Sequence, residues 1–159
     1  MSGRSLRSRF RSGGSRPAAG GEAAVQWRDR QSPSLADFET LARRTYDALP
    51  PAFRDLTGEI VIRIDEFPSD EVLDDLGIES EYDLLGLYQG VSLSQRSANS
   101  GSPLPDMIFL YRRPILDYWA EHPETLGQLV SHVLIHEIGH HFGLSDDDME
   151  AIEAAAGAD

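Results

Sequence analysis

The stretch ETLGQLVSHVLIHEIGHHFG, residues 124–143, constrains this chain more than any other. Its apolar residues recur at helical spacing but lie all round the helix instead of along one stripe, which predicts a helix buried near the middle of the fold. Polar groups on such a helix are costly unless something satisfies them, and this one carries His132, His136, Glu137, His140 and His141. With 159 residues the chain can build one domain with a real core around that helix, and is short for two.

The other elements follow from local pattern. SPSLADFETLARRTYDALPP predicts a helix capped by Ser34, with an Asp three residues later and Phe38, Leu41, Ala42 and Leu49 on one face, stopped by Pro50 and Pro51. EIVIRIDEF, with Ile60, Ile62 and Ile64 alternating, predicts a strand. SDEVLDDLG predicts a short helix between Ser69 and Gly77. DLLGLYQGVSL and DMIFLYRR predict two further strands around the polar loop SQRSANSGSPLP, in which residues 94–104 are a candidate lid or, equally, an ordinary hairpin connection. A short helical turn is expected over Pro114–Trp119, and a last helix after the long one. The order helix, strand, helix, strand, strand, helix, helix is that of an α+β domain with a small sheet.

Charge divides the chain. Residues 1–31 hold seven arginines against two acids, net +5, whereas residues 32–159 hold seven arginines against 25 acids, net −18. The leader MSGRSLRSRFRSGGSRPAAGGEAA has too little apolar content to offset ordering entropy, so residues 1–31 are expected to be a disordered tail and residues 32–159 the domain. An acidic domain without lysine argues against a nucleic-acid binder. The absence of a transmembrane-length run and of an apolar secretory h-region argues for no membrane partner and a cytoplasmic setting. With no cysteine, a metal site must use His, Asp or Glu.

HEIGHHFGLSDDDME supplies those ligands. His136 and His140 stand one helical turn apart and can aim both imidazoles at one ion, while Glu137 can reach a water on that ion without displacing it. This is the HExxH arrangement of zinc hydrolases, with glutamate taking the proton from water. A catalytic zinc needs a third protein ligand. Gly143 can adopt the left-handed conformation that reverses the chain, after which Asp146 can swing back to the metal. Asp146 has a competing role, because Ser145 followed by three acids also makes a helix start, with Asp148 completing a capping-box-like pattern.

The spacing His136-Glu137-x-x-His140-x-x-Gly143-x-x-Asp146 resembles that of the metzincin metallopeptidases, with aspartate in the third position as in the snapalysin-type enzymes. The chain is more similar still to a family of small bacterial zincin-like proteins, minimal metallopeptidases without a separate C-terminal subdomain. YDLLGLYQGVSL and IFLYRRPILDYW look like that family's other recurrent segments, so the resemblance spans roughly residues 35–155. It implies a minimal zincin-like fold, with a small mixed sheet over the active-site helix, and a peptide or protein substrate in a groove beside an edge strand.

The expectation is therefore a zinc-dependent peptidase: Zn²⁺ on His136, His140 and Asp146, with Glu137 as general base. Two other readings of the same residues are a zinc-stabilised binding or scaffold domain without turnover, and a regulatory peptidase acting on one partner protein. His141 points about 100° away from His140 and is assigned a structural role. His132, a turn before His136, is taken as a packed neighbour of the ligands, too far back to join their coordination sphere. Glu150 is a weaker ligand alternative to Asp146, Met149 a core residue of the last helix, and His122 a surface residue. Tyr88, Tyr111 and Tyr118 are given no catalytic role.

Overall fold

The computed structural model describes residues 26–90 and 105–157. The expected loop at 94–104 and all but the end of the expected tail lie outside the described residues. Residues 26–31 contain one exposed 3₁₀ turn, Trp27–Asp29.

Helix α1, Leu35–Asp47, begins as the sequence predicts. The Ser34 side chain accepts from the Asp37 backbone N–H, and the Asp37 carboxylate accepts from the Ser34 N–H. Pro50 and Pro51 end it, and Pro51, which has no N–H to leave unsatisfied, starts a single turn, α2 (Pro51–Arg54). Strand β1 (Ile60–Asp65) leads to α3 (Asp70–Leu76), capped by Ser69. A 3₁₀ turn at Glu81–Asp83 takes up the start of the second expected strand, so β2 runs only over Gly86–Gln89.

Strand β3 (Asp106–Tyr111) passes straight into α4, Arg112–Glu121, two residues earlier than the sequence suggested. Pro114 is thereby the third residue of the helix, where an N–H has no intrahelical acceptor. Arg112 fixes the junction: its Nε donates to Pro33 O at 2.6 Å and its Nη1 to both Glu66 carboxylate oxygens. The sheet is mixed, in the order β1-β3-β2, with β1 parallel and β2 antiparallel to the central β3.

The long helix, α5, spans Leu126–His141 and starts in a capping box between Thr125 and Gln128. Every residue from His132 to Gly139 is buried. Its apolar side chains join those of α1, the sheet, α4 and Met149 in one core, as a helix apolar on all sides requires. The last helix, α6, runs Asp146–Gly157, and Met149 is fully buried. The fold is α+β, with the small mixed sheet and an N-terminal and a C-terminal helix around the central one.

Candidate metal centre

Two features of α5 set the geometry of the centre. At its C-terminus the chain reverses through Gly143, whose φ of +74° is the left-handed conformation expected of it. Gly143 N–H donates to His140 O and Leu144 N–H to Gly139 O, so the last carbonyls of the helix are satisfied by the turn itself. Leu144 and Ser145 then lead into α6, which folds back on α5. The second feature is Gly139: a Cβ there would stand 2.5 Å from Met149 Sδ and 2.8 Å from its Cγ, so a side chain at 139 would have to displace Met149, which packs α6 against this point of α5.

The polar residues of α5 fall into distinct settings. Glu137 is 1% exposed, and its Oε1 has no hydrogen-bond partner. Burial pushes its carboxyl up to about 8 even though a hydrogen bond from the Tyr88 backbone pulls the other way. His136 is also buried, and neither of its ring nitrogens has a hydrogen-bond partner. The His140 ring lies 5.6 Å from that of His136 and nearly perpendicular to it, at the helix end where burial gives way. The His136 nitrogens and Glu137 Oε1 are buried groups that a cation would satisfy, and a pair of imidazoles one turn apart suits a zinc ion.

Asp146 takes the other of its two expected roles in part. It is the first residue of α6 and exposed, while Ser145 and Asp148 make the reciprocal capping box that its neighbourhood predicted. Glu150 is exposed as well. His141 stacks on Tyr88 at 4.1 Å between ring centroids, and the Tyr88 hydroxyl donates to Asp106 Oδ2 at 2.6 Å. Tyr88, Tyr111 and Tyr118 are all buried, in keeping with packing roles. His122 is partly buried, with its ring on Tyr118 and its Nδ1 2.7 Å from Tyr118 O, so it is more enclosed than a surface residue.

His132 comes closer to the centre than its spacing suggested. Its ring stacks on His136 at 3.9 Å, and its Nδ1 lies 2.5 Å from Glu153 Oε1. Among the described residues, His132, His136 and Glu153 form a group able to hold a metal ion, with ligand atoms all within 4.8 Å of one another. Burial raises the Glu153 carboxyl, but the hydrogen bond with His132 and the closeness of both the His132 and His136 imidazoles outweigh it and leave the group well below the usual carboxylate range. Burial pulls His132 below its ordinary value. Two sequence signals pointed here: His132 shares the stripe of His136 four residues on, and Glu153 shares the α6 face of Asp146 and Met149. What joins the two stripes is the return of α6.

The central helix brings a buried histidine, a second histidine one turn on and a buried acid to one end of an α+β domain, the arrangement of an HExxH metal site. Residues 57–156 match the zincin-like metallopeptidase family, and the chain belongs to it. No curated protein matches the chain. Among the described residues no helix is long and apolar enough to cross a membrane.

Proposed function

We propose that this chain is a zinc-dependent peptidase in which His136, His140 and Asp146 hold the ion and Glu137 handles the proton. The observation that carries this is Glu137: a carboxyl buried to 1% exposure, with one oxygen unpartnered, beside a histidine whose two ring nitrogens are unpartnered too. A buried acid of this kind is expensive for a structural domain to keep. For a general base it is useful: a cation held by the neighbouring His136 would pull the raised carboxyl back down toward neutrality, where it can both take and return a proton.

Zinc, when bound, supplies the Lewis acid that polarises a carbonyl and makes water easier to deprotonate. The chain's residues supply the rest. Glu137 Oε1 accepts the proton of the attacking water and returns it to the leaving amine. The Tyr88 backbone N–H orients the carboxyl. Gly143 provides the turn after which Asp146 begins α6. The substrate is a peptide or protein segment, acted on in the cytoplasm.

Metal analysis and a peptide-library digest test this together. Protein purified without chelators carries about one zinc per chain. Glu137→Gln keeps the metal and loses hydrolysis, while His136→Ala loses both. Wild-type protein that is zinc-free, or a Glu137→Gln variant that digests the library as wild type does, overturns the proposal. A scaffold role would leave every function unchanged on Glu137→Gln.

A further inference from the structure

His132 and Glu153 lie outside the HExxH motif, yet both converge on His136. One carboxylate oxygen, Glu153 Oε1, faces two imidazole nitrogens, His132 Nδ1 at 2.5 Å and His136 Nε2 at 3.6 Å. A hydrogen-bonded pair accounts for the first contact and leaves the second beyond bonding distance. His136 is 8% exposed, so neither of its unpartnered nitrogens can rely on bulk water. A cation among the three atoms satisfies all of them at once. Tetrahedral zinc, with bonds of about 2.0–2.2 Å, sets its donors roughly 3.3–3.6 Å apart, and the three donor atoms here all lie within 4.8 Å of one another.

The three donors sit on rigid elements. His132 and His136 occupy one face of α5, and Glu153 is more than a turn inside both ends of α6, which Met149 seats against Gly139. Two imidazoles and a carboxylate are a set that zinc, cobalt and nickel accept.

We propose that His132, His136 and Glu153 form a second divalent-cation seat that shares His136 with the motif. This seat stands on its own donors, and the peptidase reading enters only through the shared histidine. His136 Nε2 has one lone pair, so an ion held through it here is not held through it beside His140. For His132 to ligate through Nδ1, its ring proton must reside on Nε2. The two seats therefore compete for one ion through one nitrogen, and an ion on Glu153 leaves the Glu137 side of His136 without its metal.

The test uses full-length protein, stripped with EDTA, dialysed, and titrated with Zn²⁺ against a chromogenic chelator and with Co²⁺ by visible absorption. A His140→Ala/Asp146→Ala double variant disables the motif seat. It is expected to retain one Zn²⁺ per chain, and adding Glu153→Gln, which keeps the shape and a hydrogen bond to His132, should weaken binding at least tenfold. Thermal unfolding by circular dichroism verifies that each variant is folded. A folded double variant that binds no zinc, or one whose affinity Glu153→Gln leaves unchanged, overturns the proposal. Should the double variant not fold, the Co²⁺ spectrum of otherwise wild-type protein decides: a change on Glu153→Gln supports the seat, and an unchanged spectrum and affinity refute it. Neither readout depends on hydrolysis, so an inactive wild-type protein would sink the peptidase reading and leave this seat standing.

Discussion

Replacing Glu137 by Gln in metal-free protein isolates the cost of keeping a carboxyl in the core. Gln fills the same volume and its carbonyl can still accept from the Tyr88 backbone, so the change removes the ionisation and little else. The carboxyl titrates at about 8 in the fold against an ordinary value of 4.5. A group raised in this way stabilises the fold relative to its ionised form below 4.5, and that advantage drains away as pH rises through the folded value. At pH 7 the unfolded chain has released a proton that the fold retains, and linkage puts the penalty at about 3 kcal/mol; at pH 4 it is only roughly 0.2 kcal/mol. Glu137→Gln should therefore unfold roughly 10 °C above wild type near pH 7 and together with it near pH 4. Urea melts of both proteins in EDTA from pH 4 to 8 measure the difference, and the subtraction cancels every other titrating group. A stability difference that stays constant across that range would show that Glu137 does not hold its proton in the fold, and the reasoning from burial would fail.

Other perturbations probe the frame around the centre. Gly139→Ala sets the overpacking of Met149, about 1–3 kcal/mol, against the roughly 1 kcal/mol that Ala gains over Gly in a helix, for a net loss of about 1 kcal/mol. In a Met149→Ala background the clash is gone and the same change should stabilise, which a double-mutant cycle by urea denaturation checks. Arg112→Ala removes the bonds to Pro33 and Glu66 from a side chain only 15% exposed and should cost about 1–3 kcal/mol, with Arg112→Lys recovering part of it. The Glu153 carboxyl is depressed, so in metal-free protein it contributes stability above its ordinary 4.5 that is lost as pH falls through the folded value. An acid titration followed by circular dichroism should show that limb flattened in Glu153→Gln.

Local signals were legible where they were complete within a few residues. Ser34 with Asp37, Ser69, and Ser145 with Asp148 all cap as read, because a cap depends on three or four neighbouring positions. The central helix was legible from apolar residues on every side, and with it the burial of His136 and Glu137. The early start of α4 was not, since it depends on Arg112 reaching Pro33 and Glu66, 79 and 46 positions away. The Glu153 contact escaped for the same reason: 21 residues separate it from His132, and only the close approach at Gly139 brings them together. Asp146 shows the opposite limit. Its sequence supported both a ligand and a helix start, and spacing alone does not choose between them.

The contact of Met149 with Gly139 also has a mechanical side. Asp146 and Glu153 flank Met149 on the same helix, roughly 10 Å apart along its axis. Ile152 and Ala156 pack against the core as well, so α6 is clamped along its length and not at one point. The distance from either carboxylate to the histidines is then set by how closely the two helices approach, and a bulkier residue at 139 would move both carboxylates together. The smallest side chain in the chain thus acts as the gauge that spaces one helix from the other.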